Sequence, residues 1–293
     1  MSYIDILKNS ALEAGNIVCM GLDPILSTLP WEEKGTRERI ADYFAIIFRR
    51  MRLEGSIPAA FKPNIGYYSS LDNPREGDFS GSLALVDVLD LLETYFPGIP
   101  VILDSKRGDI ARSSGNYATE AFDCWKADAV TVSPYMGTDS VMPFAYENKG
   151  IYVLDRTSNP GAKDLQGLST MDKFDEHELY PLYIATAHKI VDWAAEHKGI
   201  GAVVGATSPD ELEEIAAYYA GKDIPMLIPG VGSQGGSAGE VISRMKRAGY
   251  SLELARINSS SGLTHPWKKG PAPDTFEEDA MAAIRKLLSE ASI

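Results

Sequence analysis

Eight short apolar runs rich in β-branched residues punctuate this chain of 293 residues. Each runs into Gly, Pro, Asp, Asn or Ser, and longer stretches with helical periodicity lie between them. The runs are Asn16–Asp23, Ala59–Tyr67, Ile99–Lys106, Ala127–Tyr135, Gly150–Ser158, Gly201–Thr207, Pro225–Val231 and Leu252–Ser259. Thr36–Leu53, Ser82–Tyr95, Met171–Lys198 and Thr275–Glu290 read as helices. Ser208, Pro209, Asp210 and Glu211 read as the N-cap, N1 proline and first-turn acids of another. Eight β-then-α units in a chain of this length predict one closed (β/α)8 barrel, a single domain over residues 1–293. The near-continuous apolar character of the runs fits strands buried on both faces. An open doubly wound sheet would want a GxGxxG turn after the first run, and Cys19-Met20-Gly21-Leu22-Asp23-Pro24 offers none.

Charge narrows the partners. With 28 Lys+Arg against 41 Asp+Glu the net charge is −13, which argues against nucleic acid, whose phosphates demand excess cations. An anionic small substrate must then be met by a local concentration of positive charge or backbone N–H groups. Cys19 and Cys124 make neither a disulfide framework nor a metal cluster, which fits a reducing compartment. The first residues lack a signal-peptide pattern and no apolar stretch is long enough to span a bilayer, so the expectation is a cytoplasmic protein without a membrane partner. His177, His188 and His197 fall on one expected helix at spacings of 11 and 9, and His265 stands alone. These read as solvated side chains rather than metal ligands.

In a (β/α)8 barrel the loops at the C-terminal ends of the strands build the active site. The third run ends in Asp104-Ser105-Lys106-Arg107-Gly108-Asp109-Ile110, where Asp104 and Lys106, two apart, share a strand face. Lys62 and Asn64 share a face in the second run, and Asp23 ends the first. An ion-pair network between strands would explain one Asp-x-Lys. Concentration at three adjacent strand ends favours chemistry, because buried charge is costly. A lysine flanked by carboxylates stays protonated, which suits it poorly to Schiff-base formation and well to protonating a carbanion. That points to carbon-acid or decarboxylation chemistry. The seventh run enters Pro229-Gly230-Val231-Gly232-Ser233-Gln234-Gly235-Gly236, where glycines let backbone N–H groups approach an anion. Barrels commonly hold phosphate after strands seven and eight. The fifth run leads into a long polar stretch from Asp155 to Gly167, either a lid or a surface loop.

These stretches resemble a known family. Asp104-Ser105-Lys106-Arg107-Gly108-Asp109-Ile110 resembles the D-x-K-x-x-D-I signature of the orotidine 5′-phosphate decarboxylases. Phe61-Lys62-Pro63-Asn64, Ser133-Pro134-Tyr135-Met136-Gly137, Arg156-Thr157-Ser158-Asn159-Pro160-Gly161 and the stretch from Pro229 to Gly236 resemble its type 2 branch. The likeness runs from Gly21 to about Gly262. It implies a homodimeric barrel without cofactor or metal that converts orotidine 5′-monophosphate to uridine 5′-monophosphate in de novo pyrimidine synthesis. It implies Lys106 as proton donor to C6, Asp104 beside the substrate carboxylate, and Lys62 orienting Asp104 and contacting the ribose. Asp109 would complete the charged network and reach the other subunit's site, accompanied by Ile110 and by Ser113 at a position that is usually Thr. Asp23 and Asn64 would bind ribose hydroxyls or neighbouring groups, Ser158 the pyrimidine edge, and Gln234 would link base and phosphate beside Gly232.

One position departs from the family's pattern. In Asn258-Ser259-Ser260-Ser261-Gly262, Ser261 stands where the resemblance calls for an Arg that grips the phosphate. Arg256 lies five residues back, about 16 Å along an extended strand. Losing such an Arg–phosphate contact could cost roughly 2–4 kcal/mol. Lys268 or Lys269 taking over, an introduced serine, or a weakened or non-catalytic relative would each explain it. The intact charged centre favours an enzyme. The rival readings are a metal-dependent sugar-phosphate decarboxylase or epimerase, and a nucleotide-binding module without turnover.

Overall fold

The structure, a computed structural model, describes residues 1–172, 175–232, 235–267 and 269–293. Its strands are β1 (Val18–Gly21), β2 (Ala60–Lys62), β3 (Ile102–Arg107), β4 (Ala129–Val132), β5 (Gly150–Arg156), β6 (Ser169–Asp172), β7 (Asp175–Pro181), β8 (Ile200–Val204), β9 (Met226–Ile228) and β10 (Ala255–Ser259). Eight of them form one parallel sheet in the order β2-β1-β10-β9-β8-β5-β4-β3. Its edges meet where Phe61 N donates to Pro100 O at 3.0 Å and Asp104 N donates to Pro63 O at 2.9 Å, so the sheet closes as the expected (β/α)8 barrel. Each barrel strand falls on one of the eight expected runs and overshoots it by no more than one residue. β1, β2, β4, β8, β9 and β10 are buried along their whole length, which is why their sequences alternate so little.

The helices Thr36–Glu54, Ser80–Tyr95 and Phe276–Glu290 lie where periodicity places them. Phe44, Phe48, Phe61 and Phe96 join the first of these to β2 and the end of the second through ring contacts of 5.0–5.7 Å. A helix over Tyr3–Ala14, opened by a capping box between Ser2 and Asp5, crosses the N-terminal ends of the strands. Ser10 Oγ donates to Ala59 O at 2.9 Å, and Tyr3 OH donates to Tyr152 OH at 3.0 Å. The fully buried Arg256 of β10 donates to Leu7 O and, at 2.7 Å, to Ser10 Oγ. Its guanidinium therefore sits on the barrel floor.

Three expectations need correction. The helix expected over Met171–Lys198 begins only at Leu182, and an antiparallel hairpin, β6 with β7, precedes it. Pro181, at the N-cap, disfavours helical backbone in the residue before it, so the charged segment upstream cannot join the helix. Thus His177 falls in β7, whereas His188 lies within the helix and His197 at its C-cap, both partly buried. His197 Nε2 lies 3.0 Å from the Lys149 carbonyl, and His265 is buried, so neither reads as a solvated side chain. Ser208 occupies its N-cap position but makes no capping bond, because its hydroxyl accepts from Arg156 Nη2 at 3.2 Å. The long stretch after β5 is tied back to the strand end: Thr157 N donates to Gln166 Oε1, and Gln166 Nε2 donates to Thr157 Oγ1, each at 2.9 Å. Among the described residues no helix is long and apolar enough to cross a membrane.

Candidate active site

β2 and β3 face each other across the closing seam, so their C-terminal ends bring Lys62 and Asp104 side by side. Lys62 Nζ lies 2.6 Å from Asp104 Oδ2, and Lys106 Nζ lies 2.5 Å from Asp104 Oδ1. Lys62 and Asp104 are buried, whereas the Lys106 side chain is 48% exposed, so one ammonium of the three-member cluster opens to solvent. Burial alone would raise the Asp104 carboxyl. The charges of Lys62 and Lys106 and their hydrogen bonds outweigh it and hold the group well below the usual carboxylate range. Burial likewise opposes charge on Lys62, but Asp104 and then Asp23 override it and raise the pKa.

Thr131 of β4 is a member the sequence reading missed. Its hydroxyl donates to Asp104 Oδ1 at 2.8 Å and accepts from Ser105 N at 3.1 Å and Lys106 N at 2.9 Å. Lys106 has φ of +46°, a left-handed conformation that costs a residue with a side chain about 1–3 kcal/mol. The β3–β4 register also shifts between Leu103 and Arg107. The expected meeting of Lys106 with Asp104 is real, but it is made on a bulge pinned by Thr131 rather than on a regular strand. A lone hydroxyl within the apolar core of the run Ala127–Tyr135 was the available signal.

The other expected residues surround this cluster at varying distance. Asp23 accepts from Asn64 N at 3.1 Å, and Asn64 Oδ1 caps the short helix Ile65–Ser69 by accepting from Gly66 N at 3.0 Å. Asp109 is not drawn into the ion pairs: its Oδ1 accepts from Ile110 N at 2.7 Å. It lies at the rim with the exposed Ile110 and Ser113. Ser158 is half-buried, its backbone against Gly205, where a Cβ would stand 2.7 Å from Ser158 Cα. That close approach requires glycine.

Beyond β9 and β10 the strand ends enclose a cavity of about 160 Å³, lined by residues that include Asp23, Gly230, Asn258 and Ser261. Gly232 takes φ of +87°, yet its N–H donates to the Gly236 carbonyl at 3.0 Å rather than standing open to an anion. Arg256 is committed to the floor and cannot replace an Arg at position 261. Lys269 is exposed, while Gln234 and Lys268 lie outside the described residues. A larger hollow of about 600 Å³ lies at the opposite end, against the helix Tyr3–Ala14, and contains none of the Lys–Asp cluster. The charged cluster, not the larger volume, marks the site. Among the described residues no group of three or more His, Cys, Asp or Glu side chains could hold a metal ion.

Residues 53–261 match the orotidine 5′-phosphate decarboxylase / HUMPS family. This chain belongs to that family. The orotidine 5′-phosphate decarboxylase of Variovorax paradoxus is 36% identical over 287 residues, covering 97% of this chain and 96% of that protein. The one from Cupriavidus metallidurans is 39% identical over 266 residues, 90% of each. The solved OMP decarboxylase of Leishmania donovani superposes with a TM-score of 0.75 at 31% identity, covering 99% of this chain and 97% of that one. Membership in the decarboxylase family makes this chain a carboxy-lyase built on a TIM barrel.

Proposed function

We propose that the chain decarboxylates orotidine 5′-monophosphate to uridine 5′-monophosphate and CO2, a step of pyrimidine nucleotide synthesis, with Lys106 as proton donor. The observation that carries this reading is the Lys62–Asp104–Lys106 cluster with its one half-exposed ammonium. As the bond from C6 to the carboxylate breaks, the electron pair stays on C6 and CO2 departs. The Lys106 ammonium stabilises that charge and then gives its proton to C6. Lys62 and Thr131 hold Asp104 ionised and in place, setting it beside a like charge on the substrate that decarboxylation removes. Asp23 and Asn64 meet the ribose hydroxyls, and Ser158 meets the pyrimidine edge. Gly232, Gln234 and Ser261 belong to the phosphate end. None of these steps needs a metal or cofactor.

The reading extends to assembly. Ile110, Tyr135 and Met136 are 55%, 83% and 44% exposed, an apolar rim beside the site that suits a homodimer interface. Asp109, Ile110 and Ser113 would there reach the partner's site. One domain over residues 1–293, working in the cytoplasm, completes the proposal.

The test follows the loss of absorbance on adding orotidine 5′-monophosphate, with chelator present. Turnover should occur and should fall by at least about 10³-fold in Lys106→Ala, since both charge stabilisation and proton delivery are lost. A Lys106→Ala enzyme within about tenfold of its parent, or an unaltered chain inactive at millimolar substrate, would refute the proposal.

A further inference from the structure

The cavity at the ends of β9 and β10 holds a histidine that the proposed chemistry leaves unused. His265 follows the short helix Ser261–Thr264, is 2% exposed, and lines the cavity together with Asp23, Tyr67 and Ser261. Thr264 Oγ1 donates to the Ser260 carbonyl at 3.2 Å, so it meets His265 Nδ1, 2.9 Å away, as an acceptor. Nδ1 therefore carries the hydrogen of the neutral ring, and Nε2 is the bare nitrogen. That Nε2 is buried and has no hydrogen-bond partner.

The surroundings decide what the bare nitrogen can do. Among the described residues the charged group facing the ring is Asp23, just past the end of β1. Tyr67 lines the same cavity, Tyr43 of the helix Thr36–Glu54 donates to the Thr264 carbonyl, and the Trp267 ring lies 6.4 Å away. Burial lowers the pKa of His265 and outweighs the opposing pull of Asp23, so the ring is neutral in the free protein near pH 7. A phosphate monoester is close to a dianion at that pH, and a dianion beside a buried imidazole favours its charged form. Among the described residues that line or adjoin the cavity, position 261 is an uncharged serine, the Gly232 N–H is bonded within its loop, and Arg256 is on the floor.

We propose that His265 supplies the cation that position 261 lacks: Nε2 takes one proton from solvent as the phosphate dianion enters and donates it to a phosphate oxygen. The proton adds to the Nε2 lone pair, and no other covalent bond changes. This inference rests on the nucleotide substrate proposed above. It makes nucleotide binding a proton-uptake reaction.

Calorimetry of uridine 5′-monophosphate near pH 7.5, in two buffers of different ionisation enthalpy, reads that proton directly. The unaltered chain should take up close to one proton per nucleotide. His265→Asn keeps an amide where Nδ1 meets Thr264 but has no atom at Nε2. It should take up none and bind the nucleotide about 10–100-fold more weakly. Uridine, which lacks the phosphate, should bind both equally. Adding Ser261→Arg to His265→Asn should restore nucleotide affinity without proton uptake, which a collapsed pocket could not do. Binding without proton uptake by the unaltered chain, or equally tight binding by His265→Asn, overturns the inference and leaves the decarboxylase reading standing. Failure of the unaltered chain to bind the nucleotide at all overturns the substrate reading and the inference with it.

Discussion

Replacing Asp155 with asparagine should stabilise the fold near neutral pH and flatten its dependence on pH. Asp155 of β5 is 2% exposed; its Oδ2 accepts from Tyr219 OH at 2.9 Å, whereas Oδ1 has no partner. Burial raises the carboxyl from 3.8 to about 8, against the lowering by the Tyr219 hydrogen bond and by Arg156. Between those values the native state keeps a proton that the unfolded chain has lost. The free energy of unfolding therefore falls as pH rises, until the folded group also ionises. At about 1.4 kcal/mol per pH unit, the accumulated loss is roughly 5 kcal/mol by pH 7.5, and about 1.2 kcal/mol of it falls between pH 6.5 and 7.5. His265, with its lowered pKa, contributes the opposite slope below about pH 6.5, so the clean window lies above it. Asparagine can still accept from Tyr219 and has no proton to lose. Its amide leaves a donor unpaired at a cost of about 1–3 kcal/mol, so the net gain at pH 7.5 is about 2–4 kcal/mol. Urea unfolding of both proteins at several pH values across this window measures it. Stability of the unaltered chain that stays flat or rises with pH there would refute the reasoning, as would an Asp155→Asn protein that keeps the slope.

Two further substitutions probe the site itself. Thr131→Val removes the acceptor for Ser105 N and Lys106 N and the donor to Asp104, so turnover at saturating substrate should drop about 10–100-fold while KM moves little. Steady-state kinetics at full activity would contradict the anchoring role. Ser261→Arg restores a guanidinium at the cavity edge and should lower KM for orotidine 5′-monophosphate at least about tenfold with kcat unchanged. An unchanged KM would refute a phosphate deficit at position 261.

The barrel was legible because strands buried on both faces write themselves as apolar runs, and eight such runs fit one closed sheet at this length. The Lys–Asp cluster was legible because strand alternation is a local rule. What escaped depended on partners far away in sequence. Thr131 becomes functional only because β4 lies beside a bulged β3, and nothing in its own run announces that bulge. Ser208 has every local mark of a helix cap and is taken by Arg156, 52 residues earlier. The segment in which β6 pairs with β7 reads as the start of a helix, because the helical period downstream of Pro181 carries back through charged residues, and Pro181 decides the matter. His265 stood alone in the sequence because its neighbours in space come from the loop after β1, the helix Ile65–Ser69 and the loop after β9.

The floor of the barrel has a consequence for how the chain comes to exist. Arg256 reaches the Leu7 carbonyl across 249 positions of sequence, and β10 pairs with β1. A nascent chain that has just released its first helix therefore carries acceptors whose donor has yet to be synthesised. Until residue 256 leaves the ribosome, Leu7 and Ser10 have no guanidinium to hold, and β1 lacks one of its two neighbours. Closing so long a loop carries a high entropic cost, which makes the pairing of β10 with β1 a late event after translation rather than a growing edge during it.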